Sequence, residues 1–253
     1  MKNKQLFIDY SRYYDLLYKD KDYNAETSYV TNLINKYKPG SKKILEYGSG
    51  TGIHGKLMAK NGFSVFGIEQ SAEMIRKANV SISTGFACME GDVCNYKLKR
   101  KFDVVISLFH VISYLNTNEQ LISAFNNAFK HLNANGLLIF DIWYTPAVYT
   151  QKPSTRVKRI DAEDVDIIRY AEPVIENNKN LVDVNYQIIV LDKTNKTYFE
   201  IKETHSMRHF SINEIKLLAE LTGFDVINIE EFLTGKKPSD NTWGVCFILK
   251  KKN

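Results

Sequence analysis

Short apolar runs separated by glycine- and asparagine-bearing turns recur between Lys42 and Phe140, and helical spacing of apolar positions follows them. Lys43–Tyr47, Ser64–Glu69 and Phe102–Leu108 are apolar almost throughout, as strands buried on both faces of a parallel sheet must be. Between the first two, Gly55–Asn61 sets Leu57 and Met58 on the expected inner face of a helix. Glu119–Leu132 reads as an amphipathic helix, then come a turn at Asn133-Ala-Asn-Gly136 and a further strand, Leu137–Asp141. Strand, turn and helix in alternation predict a doubly wound α/β core of Rossmann-like type.

The pattern changes after Pro153. Val182–Val190 and Tyr198–His205 alternate polar and apolar positions and are joined by the turn-forming Asp192-Lys-Thr-Asn195, which predicts antiparallel sheet with one exposed face. Ser211-Ile-Asn-Glu214 is a capping box opening a helix to Leu221, with Gly223 just past its end. Asp225–Glu230 and Gly244–Leu249 are two closing strands. There is no internal repeat and no proline- or serine-rich linker, so the antiparallel segment, 156–210, reads as an insertion in a core made of 41–155 and 211–253. Residues 1–40 precede that core as a helical segment.

Composition narrows the partners. The chain has 253 residues, 44% hydrophobic and 25% charged, ordinary values for a globular protein with a buried core. No apolar run approaches the length of a membrane span, and Met1–Asp9 lacks the pattern of a signal peptide, so the expected location is the cytoplasm with no membrane partner. Cys88, Cys94 and Cys246 have neither metal-ligand nor disulfide spacing, so no metal is expected. The net charge of +5 is spread along the chain and into a basic tail, the pattern of a solvated surface rather than a nucleic-acid footprint.

Candidate chemistry concentrates in Leu45-Glu-Tyr-Gly-Ser-Gly-Thr-Gly-Ile-His54, where a strand runs into three alternate glycines, Gly48, Gly50 and Gly52. Such a turn lets backbone approach a ligand, and the next helix offers free N–H groups. Glu69, ending the next strand, can accept two hydrogen bonds from a ribose diol. Gly50-x-Gly52-x-x-Gly55 also satisfies the dinucleotide string, but Glu46 at the end of the first strand would repel a pyrophosphate and suits an ammonium instead. Asp92, in Glu90-Gly-Asp-Val93, is placed to accept from an adenine amine. His54 reads as a residue that caps or packs its helix start.

With these residues in place the chain resembles class I S-adenosylmethionine-dependent methyltransferases, in particular the bacterial enzymes that dimethylate the amino group of nucleotide-linked deoxysugars. Gly50-Thr-Gly-Ile-His54 and Glu69-Gln-Ser-Ala-Glu-Met74 resemble that group's glycine turn and second strand. Tyr14-Asp-Leu-Leu and Lys21-Asp-Tyr23 are similar to its amino-terminal cofactor lid, and Glu203-Thr-His205 with Arg208 and Phe210 to its inserted sheet. The resemblance implies S-adenosylmethionine as cofactor, with Tyr14 and Tyr23 closing over it. Glu46, Gly48, Gly50, Gly52, Glu69, Gln70, Asp92, Val93 and Leu108 would hold it. Two positions depart from the group: Tyr114 stands where a histidine is expected near the acceptor, and Trp243 where an arginine is expected on the phosphate side. Trp143, Arg208 and Trp243 are the substrate-side candidates.

Methyl transfer from a sulfonium is an in-line displacement, for which alignment and exclusion of water give most of the help, about 7–11 kcal/mol. A base is useful for an alcohol acceptor, and an amine must arrive neutral. Asp141 ranks first for that role because it follows an all-apolar strand; His110, Tyr114 and His205 are the other candidates. The expected acceptor is a small carbohydrate-type metabolite, by resemblance an amino sugar nucleotide. The alternative is a hydroxyl or phosphate-type oxygen of a glycan precursor. An NAD-dependent oxidoreductase and a non-catalytic nucleoside-binding module are the rival classes, and the expected state is a monomer or homodimer. Nucleic-acid methylation is disfavoured because Leu108-Phe-His-Val111 lacks the proline-bearing motif of base-flipping amino methyltransferases.

Overall fold

The computed structural model describes residues 10–80 and 83–253; positions 1–9 of the expected lid lie outside them. Two helices come first, α1 (Tyr10–Leu17) and α2 (Tyr23–Tyr37). Asp22 starts α2 by accepting from the Ala25 N–H, which satisfies one of the unpaired donors of the first turn. The alternating core follows: β1 (Lys43–Tyr47), α3 (Ile53–Lys60), β2 (Ser64–Glu69), α4 (Ala72–Val80), β3 (Phe86–Glu90), β4 (Phe102–Ser107), α5 (Asn118–His131) and β5 (Leu132–Tyr144). The short helix α6 (Thr145–Thr150) leads to the antiparallel strands β6 (Arg156–Asp161), β7 (Val165–Glu176), β8 (Leu181–Asp192) and β9 (Thr197–Phe210). Helix α7 (Ile212–Leu221) and strands β10 (Phe224–Glu231) and β11 (Gly244–Lys251) return to the core.

The doubly wound arrangement with an inserted antiparallel sheet is what the chain forms. Strands β3, β2, β1, β4 and β5 lie side by side in that order and run parallel. Antiparallel β11 pairs with β5, and β10 with β11. Because β1 and β4 are neighbours whose connections leave in opposite directions, a crevice opens at their carboxyl ends, where sheets of this kind bind ligands. Aromatic and aliphatic side chains fill both faces. Phe125, Phe140, Phe224 and Phe247 pack on the side of α5 and α7, with Phe140 and Phe247 stacked at 5.5 Å; Ile34, Met58 and Leu137 fill the side of α2 and α3.

Two boundaries differ from the sequence expectation. Helix α3 begins at Ile53, because Gly52 in the left-handed region already ends the turn. Strand β5 begins at Leu132 and runs to Tyr144, absorbing the expected turn at Asn133–Gly136 with a register irregularity against β4. It stays extended beyond Asp141 because partners hold it there: Trp143 pairs with Gly244 and His209, and Tyr144 with Phe210. Asp141 is therefore inside a central strand, paired with Cys246, rather than past a strand end.

This long strand joins the core to the inserted sheet. One face of that sheet carries Ile167, Ile188, Val190, Ile201 and Met207, all buried, and α1 lays Tyr10, Tyr13 and Leu17 on part of it. Lys158 of β6 fastens the end of α1, donating to the Leu17 carbonyl at 2.7 Å and to Asp20 at 3.0 Å. The part-buried carbonyl bond is worth about 1 kcal/mol, or about fivefold in an opening equilibrium. Lys158→Met should speed amide exchange in α1 by about that factor and leave β1 and β4 unchanged; identical exchange in α1 would show that apolar contact alone holds the lid.

Candidate active site

Beyond β1 the chain turns through Gly48 (φ +63°) and Gly50 (φ +55°), a backbone that side-chain-bearing residues rarely adopt. A Cβ on Gly48 would stand 2.6 Å from both γ-methyls of Val111, whereas one on Gly50 would meet nothing nearer than the Met74 sulfur at 3.7 Å. Glu69 orders this turn. It accepts from Gly50 N–H at 2.9 Å and, through its other oxygen, from the N–H groups of Gln70 (2.8 Å) and Ser71 (2.9 Å). Burial pushes its carboxyl above the ordinary range against the pull of these three donors.

Glu46 is enclosed more completely, at 2% exposure, and its Oε2 has no hydrogen-bond partner. Burial, with a smaller contribution from the charge of Glu69, pushes it up to about 8. Asp92 accepts from the Cys94 N–H at 2.9 Å just past β3, Val93 and Leu108 are buried in the core, and Gln70 is exposed. The N-terminal helices lie against this turn, where the Thr51 hydroxyl donates to Asp15 of α1 at 2.8 Å. Tyr14 lies 4.7 Å from Tyr18 and is pushed well up by burial, with Glu69 among the charges acting on it. Tyr23 rests edge-on against His54 at 5.0 Å with its hydroxyl buried and unpartnered. His54 does pack its helix start, through Glu26 at 2.7 Å, and Glu26 also pairs with Lys21. An unpartnered buried carboxylate oxygen and phenol, a left-handed glycine turn and a strand-end carboxylate suit a nucleoside carrying a cationic amino-acid end.

On the acceptor side the loop after β4 is strained. Phe109 (φ +64°) and His110 (φ +62°) are consecutive left-handed residues with side chains, costing about 1–2 kcal/mol each. Asp141 holds them there. It accepts from the His110 N–H at 3.2 Å and sits 2.7 Å from the imidazole Nδ1, although that N–H is poorly aligned. Burial pushes Asp141 up, but His110 and the Lys21 ammonium outweigh it and hold the carboxyl below the ordinary range. Asp141 is 1% exposed, so it acts on whatever enters the crevice only through His110.

Tyr114, His205 and Glu203 form a second group. The Tyr114 hydroxyl is 2.9 Å from His205 Nδ1, and His205 Nε2 is 3.1 Å from Glu203. With Glu203 accepting from Nε2–H, Nδ1 is the acceptor and the phenol the donor, an assignment read from the network. Burial pushes Tyr114 well up, and both Glu203 and Glu69 act on it in the same direction. The phenol is thereby tied to the inserted sheet through β9. Trp143 and Trp243 face each other at 6.1 Å, and Trp143 lies 6.2 Å from the His110 ring.

Arg208 does not join these groups. Bound to Asn118 (2.9 Å) and Glu214 (2.6 Å), it is an odd number of positions from His205 on β9 and so leaves the sheet on the other face. Sequence reasoning passed over Arg169, Lys21, Glu26 and the loop-bending role of Phe109. The signal for Arg169 was present: it stands between Ile167 and Ala171, a cation at an inward position of an apolar alternation.

The strand order with its antiparallel closing pair is that of class I methyltransferases, which use S-adenosylmethionine. Residues 21–229 match the family described as a methyltransferase domain, and the chain belongs to it. A Streptomyces venezuelae dTDP-3-amino-3,4,6-trideoxy-alpha-D-glucopyranose N,N-dimethyltransferase is 29% identical over 184 residues, covering 72% of this chain and 76% of its own. In fold the chain is similar to Streptomyces venezuelae DesVI (TM-score 0.81, 24% identity, 97% and 99% of the two chains covered). It is also similar to an S-adenosylmethionine-bound amino pentose methyltransferase from Micromonospora echinaspora (TM-score 0.76, 20% identity, 94% and 96% covered). The protein is thus an S-adenosylmethionine-dependent methyltransferase.

The raised carboxyl of Glu46 has a measurable signature. The unfolded chain releases this proton near pH 4.5 and the folded protein near 8, so the folded state binds more protons between those values. The contribution of Glu46 to stability is whole below about pH 4.5 and is lost as the pH rises through about 8. Urea midpoints for the cofactor-free wild type should fall across this window relative to Glu46→Gln. Parallel pH profiles would contradict it.

Proposed function

We propose that the protein methylates the amino group of a nucleotide-linked sugar, in surface-glycan or secondary-metabolite biosynthesis. The observation that carries this reading is the Tyr114 phenol just past β4, hydrogen-bonded to His205 of the insert, which Glu203 holds in turn. The likeness to a dTDP-amino-sugar dimethyltransferase supports the choice of acceptor.

In this reading Glu69 accepts from the ribose hydroxyls, Asp92 from the adenine amine, and Glu46 meets the ammonium of the amino-acid end. Gly48 and Gly50 let the backbone approach, Tyr14 and Tyr23 close the lid and exclude water, and Trp143 and Trp243 wall the acceptor. When bound, S-adenosylmethionine supplies an electrophilic methyl group on a sulfonium. The acceptor nitrogen must present a lone pair in line with the carbon–sulfur bond, and as the nitrogen–carbon bond forms it gains a positive charge that a proton must carry away. Tyr114 takes that proton while passing its own to His205 Nδ1, and Glu203 stabilises the resulting imidazolium, an arrangement of reactive group, base and orienting carboxylate. The phenol stays neutral throughout, as its raised pKa requires.

The same relay favours a second reading, methyl transfer to a hydroxyl or phosphate-type oxygen of a glycan precursor, since an oxygen acceptor gains more from a base than an amine does. Incubation with S-adenosylmethionine and either dTDP-3-amino sugars or hydroxyl-only sugar nucleotides, followed by mass spectrometry, separates the two. Added methyl groups on the amino sugars alone support the first, and on the hydroxyl-only set alone the second.

Two variants test the roles. Glu69→Ala should weaken S-adenosylhomocysteine at least about tenfold by calorimetry, since it removes charged hydrogen bonds worth about 1.5–3 kcal/mol each; retained affinity would remove Glu69 from the cofactor site. Tyr114→Phe should lower kcat about 100-fold with S-adenosylhomocysteine affinity unchanged. If Tyr114→Phe keeps full kcat and His110→Asn loses it, the proton passes to the His110–Asp141 pair instead.

A further inference from the structure

Arg169 extends from β7 onto the inward face of the inserted sheet, between buried Ile167 and Ala171. Its surroundings are phenols. One terminal nitrogen lies 3.3 Å from the Tyr10 hydroxyl and 3.5 Å from that of Tyr18, and the guanidinium stands 5.7 Å from the Tyr18 ring and 5.4 Å from the Tyr186 ring. Its Nε is buried with no hydrogen-bond partner, and among the described residues it has no carboxylate in ion-pair contact. The acids and cations nearby are committed elsewhere. Lys158, its register neighbour on β6, is held by Asp20 and the Leu17 carbonyl. Glu203 is engaged by His205 and by the Tyr10 N–H.

A guanidinium taken from water without an opposite charge is costly, and ring faces offset only part of that cost. A fork of donors left over among hydroxyls is suited to an incoming oxyanion with several acceptor oxygens. This cluster touches the residues around Tyr114: Tyr186 lies 4.9 Å from His205, which holds Tyr114, and Tyr18 lies 5.1 Å from Phe109.

We propose that Arg169, with the hydroxyls of Tyr10 and Tyr18, seats a phosphoryl group of the methyl acceptor under the lid. This rests on the reading of the acceptor as a phosphate-bearing sugar and gives that phosphate a place on the inserted sheet. Bound there, the anion anchors the acceptor at one end while its nucleophile reaches Tyr114 at the other. The anion also ties β7 to α1, so the lid closes over acceptor and cofactor together.

The test uses the protein saturated with S-adenosylhomocysteine, titrated with pyrophosphate, dTDP and thymidine. Wild type should bind pyrophosphate, and dTDP at least about tenfold tighter than thymidine, one strong charge-assisted contact being worth that factor. In Arg169→Met the preference for dTDP over thymidine should collapse and pyrophosphate binding disappear, with S-adenosylhomocysteine affinity within about twofold of wild type. Arg169→Lys, which keeps the charge and loses the fork, should fall between the two. Equal wild-type affinities for dTDP and thymidine, or an Arg169→Met variant that keeps the preference, would overturn the proposal. Should Arg169→Met fail to fold, a crystal structure of wild type with S-adenosylhomocysteine and dTDP decides: phosphoryl oxygens on Arg169 support it, and phosphates bound elsewhere refute it. Methyl transfer to an amino-sugar nucleotide at undiminished rate by Arg169→Met sinks this inference alone. Arg169-dependent dTDP binding without methyl transfer to any amino sugar sinks only the acceptor reading.

Discussion

The contact between Asp141 and His110 is the constraint from which the rest of the site follows. Two consecutive side-chain-bearing residues in the left-handed region do not persist without a compensating partner. Here it is a carboxylate buried in the middle of a central strand, reached by the backbone and ring of His110. Bending the chain at Phe109 and His110 brings Val111 over Gly48, sets Phe109 against Tyr18, and starts the helical turn Val111–Tyr114 that delivers the phenol to His205. Glycine turn, N-terminal helices and the turn Val111–Tyr114 are thereby referred to one point in the core sheet.

The electrostatics are arranged around that point in opposite senses. Glu46 and Glu69 sit in dry surroundings that disfavour their charge, and no cation of the described residues is in ion-pair contact with either. Asp141 and Glu26 are as deeply placed but are supplied with partners by the chain itself, through His110 and through His54 and Lys21. Carboxyls of one chemical type are thus divided into those that complete the fold and those that await something from outside it. The division depends on which cation is near, not on depth.

Much of this was legible beforehand. The parallel strands announced themselves by apolar runs of strand length, and the glycine turn by its place between a strand and a helix, because both depend on local chemistry. The placement of Asp141 differs from the expectation for an instructive reason. Its strand was expected to stop there, yet β11 and β9 extend it by three residues, and those pairings join segments about a hundred and about sixty-six positions apart. The relay from Tyr114 through His205 to Glu203 had its members in view, but their contact needs β9 to fold back beside the turn after β4. Arg208 shows the reverse case. It sat in the right motif, and a strand's two-residue period turned it toward α7.

The edge-on pair Trp143 and Trp243 are the only tryptophans in the chain, and Trp143 lies beside the His110 ring. The protein's indole fluorescence therefore originates from one side of the crevice. A change in the setting of the His110 loop alters the surroundings of this pair, whereas β3 lies at the far edge of the core sheet, beyond β4, β1 and β2. The enzyme carries its own optical reporter on the strained loop after β4.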